Sequence, residues 1–169
     1  MTPLNNDPTS DQRDLVKCLN QRQAEYIIVG AYALAGAGIV RGSEDFDLLI
    51  NPTPENAARV AAAVKDFIGV DVDAGQLAKE KQRVVLGQEP NQVDILTTIT
   101  GVSWERAWRE RVQGRIKDQP TAFLSPACLI ANKSESGKRA GREQDLLDVK
   151  KLLMAEQVRQ KQKERGFER

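Results

Sequence analysis

The chain has 169 residues, with 25 Lys and Arg against 24 Asp and Glu and a formal net charge of +1, a length that suits one domain and a charge that sets up no global field toward nucleic acid or membrane. Histidine is absent, which excludes Ser-His-Asp and Cys-His triads and imidazole metal sites and leaves any chemistry to carboxylates, backbone dipoles, Lys and Arg. No apolar run approaches the roughly 20 residues that span a bilayer; Cys18 and Cys128, each among apolar neighbours, read as small core residues in a reducing cytoplasm and not as a disulfide or zinc site.

The polar, turn-rich stretch from Met1 to Pro8 is unlike a secretory signal. Ser10 or Asp11 can cap a helix to about Arg22, with Leu15 and Leu19 on one face. Tyr26 to Val29 reads as a buried strand, and Gly30 to Gly38, small and apolar, as a turn opening a short, tightly packed helix. A strand carrying Asp45 and Asp47 follows and ends at Ile50. Thr53, Pro54 and Glu55 then form a strong helix start, as cap, first helical residue and dipole partner, for a helix to Phe67. Arg83 to Leu86 and Val93 to Thr98 read as antiparallel strands. A helix from Trp104 to Val112 places Trp104, Ala107, Trp108 and Arg111 at helical spacing, the tryptophans as core anchors. From Ser125-Pro126 onward the pattern is helical, ending in a mixed-charge tail, Gln157 to Arg169. The expectation is one α/β (α+β) domain, a mixed sheet flanked by helices, with a core over about 24–118 and a helical C-terminal segment over about 119–169.

Asp45-Phe46-Asp47 stands between apolar runs. Residues two apart on a strand share a face, so both acids lie with Leu49 while Phe46, Leu48 and Ile50 point the other way. Two like charges on a half-buried strand repel, and desolvation adds to the penalty. A divalent cation relieves both, and oxygen ligands suit magnesium or manganese. Asp71-Val72-Asp73 has the same pattern but lies near Gly69 and Gly75 in a stretch that reads as a loop. What distinguishes the first pair is a third acid in matching context: Asp94, within Gln92 to Leu96, opposite in face to Val93 and Ile95. Two adjacent strands would gather all three carboxylates. A glycine turn between strand and helix suits phosphate, and three carboxylates can hold two divalent ions about 3.5–4 Å apart. The chemistry implied is nucleotidyl transfer from a nucleoside triphosphate, a reaction of positioning and charge neutralisation.

Gly30-Ala31, then Arg41-x-Ser43-x-Asp45-x-Asp47, then Asp94 resembles the polymerase-β-type nucleotidyltransferase superfamily. The nearer resemblance is to its small bacterial and archaeal members, akin to the AbiEii-type toxin and minimal nucleotidyltransferase groups. Val93 to Thr97 followed by Gly101-Val102-Ser103-Trp104, the Asn132-Lys133 segment, and Gly141-Arg142-Glu143-Gln144-Asp145-Leu146-Leu147-Asp148 extend the likeness over roughly residues 24–154.

The resemblance implies a nucleotidyltransferase-like sheet in which Asp45 and Asp47 ligate two metal ions and Asp94 the catalytic one, also helping to remove the acceptor proton. It implies that Gly30 contacts the β- and γ-phosphates, that Arg41 and Ser43 lie on the nucleotide side, that Lys133 faces phosphate, and that Arg142 pairs with Asp145. The cofactor would be Mg2+ or Mn2+. The acceptor hydroxyl would belong to RNA such as tRNA, to a partner protein or to a small molecule, within or outside a toxin–antitoxin system. Two departures stand out. Ala31 replaces a residue that could hydrogen-bond phosphate and resists positive φ. Lys133 and Arg142 are about one helical turn further apart than the family pattern, so Lys138 competes for the phosphate role, and residues 133, 137, 141 and 145 would share one helix face. These departures keep a rival open: a nucleotidyltransferase-like module that binds nucleotide or a partner with little or no turnover.

Overall fold

A computed structural model describes residues 9–39, 45–89, 91–138 and 143–167. The described elements, in chain order, are α1 (Ser10–Gln21), β1 (Tyr26–Val29), α2 (Gly30–Gly36), β2 (Phe46–Ile50), α3 (Pro54–Ile68), α4 (Ala74–Leu77), β3 (Arg83–Leu86), β4 (Val93–Leu96), α5 (Trp104–Arg109), β5 (Val112–Ile116), β6 (Gln119–Phe123), α6 (Pro126–Ser136) and α7 (Glu143–Phe167). They build a mixed α/β fold around one six-stranded sheet of order β3-β4-β2-β1-β6-β5. The β1–β2, β3–β4 and β5–β6 pairs are antiparallel, while β2–β4 and β1–β6 are parallel. No helix among the described residues is long and apolar enough to cross a membrane.

Strand alternation divides the core into two layers. Ile28, Phe46, Leu48 and Ile50 pack with Leu15, Leu19, Val60 and Val64 of α1 and α3. Ile27, Val29 and Leu49 point the other way and pack with Leu34, Ala107, Cys128, Leu129 and Leu152 of α2, α5, α6 and α7. Asp47 follows the parity of Leu49, so the acids belong to the second layer. Phe46, fully buried, meets Tyr32 edge-on with ring centroids 5.1 Å apart. Gln12 Nε2 donates to the Tyr32 hydroxyl at 2.9 Å, which ties α1 to the start of α2.

Local chemistry explains most boundaries. The Thr9 side chain caps α1 in a reciprocal box with Gln12, one residue before the expected Ser10. Thr53 caps α3, Pro54 opens it, and Gly69 closes it in the left-handed conformation with φ +71°. Buried Asn56 accepts from Glu25 N and donates to Glu25 O and Asn51 O, clamping the entry of β1 to the exit of β2.

Three expectations change. The helix at Trp104 stops at Arg109, and Val112 opens β5. Residues 119–123 are strand β6, inside the sheet, so the helical C-terminal segment begins at Pro126 and not at 119. That segment is two helices: α6 ends at Ser136 with Gly137 as its cap, so residues 133 and 145 lie on different helices and share no single helix face. A Cβ on Gly137 would lie 2.5 Å from Leu146 Cδ2, so glycine here lets α7 fold back on α6. Trp104 and Trp108 pack partly buried against the second layer, stacked at 5.2 Å, with the Arg111 guanidinium 3.8 Å over the Trp108 ring. Neither cysteine is in a disulfide; Cys128 is buried and Cys18 half-buried.

Candidate active site

The site is built where β1 ends and β2 begins. Register places Val29 opposite Asp47 across the antiparallel pair, and Asp47 beside Asp94 across the parallel pair. Gly30 follows Val29 directly, with φ +69°. A Cβ there would overlap the Asp47 carboxylate, so glycine is required twice, for the left-handed turn and for the approach of the acid. Ala31 is already helical and buried, and it is not among the left-handed residues. The expected conflict between Ala31 and positive φ is therefore absent, because the turn falls one residue earlier.

Asp47 faces a cleft of about 490 Å³ whose walls also include Gly30, Lys81, Asn132, Lys133 and Asp145. Asp45 precedes β2, half-buried, and Asp94 is 5% exposed. Burial raises the Asp47 pKa to about 6, and the neighbouring charges of Asp94 and then Asp45 push in the same direction, against Arg83 and Lys133. Asp45 is also raised, first by burial and then by Asp94 and Glu89. Both carboxylates are thus shifted first by burial and then by the charge of Asp94.

Asp94 has specific partners. Arg83 donates to its Oδ2 through Nη2 at 2.7 Å and Nε at 3.1 Å, and Gln92 Nε2 donates to its Oδ1 at 2.9 Å. Among the described residues, no three Asp, Glu, Cys or His side chains are gathered as an ion-holding group; Asp94 Oδ2 is held by Arg83 of β3 and Oδ1 by Gln92. The donor set nevertheless fits a hard divalent cation. It offers oxygens only, with Asp47 and Asp94 at adjacent strand positions, and a cation there would offset the repulsion between them.

Lys133, at 14% exposure, places Nζ 3.0 Å from Asp145 Oδ1 and 3.8 Å from Asp148 Oδ2, and both acids are buried. Asp145 therefore meets Lys133 from a neighbouring helix; the expected Arg142 partnership lies outside the described residues, as do Arg41 and Ser43. Lys138 is exposed and pairs with Glu135 at 3.1 Å. It does not line the cleft, so of the two competing lysines Lys133 is the one beside Asp47. Asn132 Nδ2 donates to Thr100 O at 2.9 Å, anchoring α6 to the loop after β4. Gly101, φ +80°, lets that loop approach: a Cβ would lie 2.8 Å from Ala131 O.

Two residues enter the site without a prior expectation. Arg83 reaches Asp94 diagonally, since Val85 is its direct register partner. Lys81 lines the cleft from a left-handed turn, φ 59°, with its amide donating to Thr98 Oγ1 at 3.2 Å. Gln23 and Lys117 adopt the same left-handed conformation away from the cleft, so it is position, not φ, that brings Lys81 into the site.

No protein-family model matches the chain, and no curated protein is significantly similar to it.

Proposed function

We propose that the protein is a metal-dependent nucleotidyltransferase that moves a nucleoside monophosphate from a nucleoside triphosphate to an acceptor hydroxyl. The observation that carries this reading is the Asp47–Asp94 register across two parallel strands, next to a left-handed Gly30 and at the wall of a cleft that also holds Lys133 and Lys81. Magnesium or manganese, held by Asp45, Asp47 and Asp94, would neutralise the triphosphate and lower the pKa of the acceptor hydroxyl.

The chain's own residues supply the rest. Gly30 leaves room for phosphate beside Asp47, where any side chain would collide with the carboxylate. Lys133 and Lys81 bring positive charge to the same cleft, suited to a triphosphate that must be held and a pyrophosphate that must leave. The acceptor oxygen forms its bond to the α-phosphorus as the bond to pyrophosphate breaks, and the hydroxyl proton passes to an Asp94 oxygen. Arg83 occupies only Oδ2, so Oδ1, which accepts from Gln92, is the oxygen suited to that role. Lys133 stays oriented by Asp145 and Asp148.

The Arg83–Asp94 pair favours one alternative: a module of the same fold that binds nucleotide or a protein partner, including a cognate toxin or antitoxin, with little turnover. Label transfer separates the two. Each α-labelled triphosphate is incubated with Mg2+ or Mn2+, the protein, and a lysate divided into RNA, protein and small-molecule fractions. The proposal predicts label in one fraction with wild type and at least about a thousandfold less with the Asp45→Asn, Asp47→Asn variant. Metal-dependent triphosphate binding with no label anywhere would instead support the binding module.

A further inference from the structure

Away from the cleft beside Asp47, a second cavity of about 360 Å³ lies between α2, the β5–β6 edge of the sheet and α7. From α2 it is lined by Ala33, Gly36 and Ala37, small residues at i, i+3 and i+4 spacing, and from the sheet by Val112, Gly114 and Phe123. The room comes from the small residues. Gly36 is helical, exposed and not among the left-handed glycines. A Cβ on it would make ordinary contact with the Phe123 ring, at 3.8 Å. Alanine would therefore fit and would favour the helix, so neither backbone nor packing requires glycine; what it leaves is space. Gly114 has no such latitude, since a Cβ there would lie 2.6 Å from Phe123 Cε2. The ring thus rests on the strand and forms a fixed apolar wall. Val112, 45% exposed, leaves further apolar surface open on the same cavity.

The charges at the cavity identify what it would take. Among the described residues, its lining includes two guanidinium groups, Arg115 and Arg159, and no carboxylate. Arg159 is fixed in place: Nη2 donates to Ala37 O at 3.0 Å and Nη1 to Glu156 Oε1 at 2.7 Å. Arg115 Nη2 donates to Asp118 O at 2.7 Å, while the Asp118 carboxylate accepts from Arg13. Two guanidiniums less the Glu156 carboxylate leave the site net positive. Each guanidinium has five N–H donors, of which these bonds use two on Arg159 and one on Arg115. Apolar walls with a few directed polar groups are the make-up of a small-molecule site, and the volume is in the usual range. We propose that this cavity binds a small organic anion, an apolar body bearing one carboxylate. The body lies between Gly36 and Phe123, and the carboxylate meets Arg159, with Arg115 adding charge. This does not depend on the catalytic reading, since Gly30 and Asp47 line the other cavity.

The test titrates the full, isotope-labelled chain with octanoate, octanol and octylammonium, which share one apolar chain and differ in charge, and follows the Gly36 and Gly114 amide resonances. Octanoate should shift both with a Kd of about 0.1–1 mM. Octanol should bind about tenfold more weakly, and octylammonium more weakly still. Gly36→Leu, which fills the space, should weaken octanoate at least about tenfold without lowering the urea midpoint. Arg159→Gln should weaken octanoate about tenfold and leave octanol as in wild type. Arg159 is exposed, so that variant and the ligand series carry the test even if Gly36→Leu fails to fold. Four results would overturn the proposal: no shift up to about 5 mM octanoate, octylammonium as tight as octanoate, undiminished binding by folded Gly36→Leu, or Arg159→Gln binding octanoate like wild type.

Discussion

The chain carries two Asp-x-Asp stretches, and their surroundings make them different chemical objects. Asp45 and Asp47 lie at the start of a central strand, with Asp94 beside Asp47, and both have raised pKa values. Asp71 and Asp73 lie in the turn between α3 and α4. There Asp71 pairs with exposed Lys65 at 3.1 Å, and Asp73 caps α4 by accepting from Gly75 N at 2.9 Å. In the second pair each charge has a local, solvated role. In the first, like charges are held close in partial burial, and burial and mutual repulsion both disfavour the ionised form. The residue pattern is shared; strand register and burial make the difference.

The glycines beside each stretch offer a way to break the comparison. Gly30 and Gly69 both adopt positive φ, but a Cβ on Gly30 meets the Asp47 carboxylate whereas a Cβ on Gly69 meets nothing within 4 Å. Gly30→Ala should therefore destabilise by about 2–4 kcal/mol, the φ penalty plus the collision, and Gly69→Ala by about 1 kcal/mol. Urea unfolding of the two variants measures both. Equal losses would mean that the Asp47 approach contributes nothing.

Next in size is Arg83. Among the described residues, removing it leaves buried Asp94 with the Gln92 hydrogen bond, so Arg83→Ala should lower metal-free stability by about 1–3 kcal/mol. It should also tighten Mn2+ binding several-fold, because the carboxylate no longer has to leave a guanidinium. A stability loss with unchanged Mn2+ affinity would show that Asp94 does not reach the ion.

The smallest effect concerns pH. The Asp47 pKa is about 6 in the fold against a model-compound value of 3.8, so between those values the folded state keeps a proton that the unfolded chain has lost. Its contribution to stability is therefore complete below about pH 4 and falls as pH rises toward 6. Asp47→Asn should remove that slope and stabilise the metal-free protein at pH 7 by about 1–2 kcal/mol. Metal-free urea titrations at pH 4, 5, 6 and 7 report it; a variant less stable than wild type at pH 7 would contradict the charge assignment.

Much of this site is legible in the sequence because strand parity is strict. The alternation of Phe46, Leu48 and Ile50 against Asp47 and Leu49 appears in the two core layers as read. The third acid on an adjacent strand, the antiparallel β3–β4 pair and the Thr53-Pro54 helix start also appear as read. The β5–β6 hairpin was hidden because its signal is weak. Gln113, Gly114 and Arg115 are not strand formers, and Pro120 argues against a strand. Pro120 is tolerated because its register partner is Arg115 on β5, while β6 meets β1 at Phe123. The i+4 spacing from Lys133 to Asp145 suggested one helix face; the two residues do meet, but across the α6–α7 corner, with Gly137 at the break. Arg83 and Lys81 carry no local signature. Their relation to Asp94 and Asp47 exists only once register and turn conformation are fixed.

The most direct test of the central claim is Mn2+ binding, followed by electron paramagnetic resonance with and without a nucleoside triphosphate, in wild type and in the two double variants. Asp71→Asn, Asp73→Asn should bind as wild type does, with triphosphate tightening the ion. Asp45→Asn, Asp47→Asn should lose at least about a hundredfold in affinity. Equal Mn2+ binding by all three proteins would contradict the account.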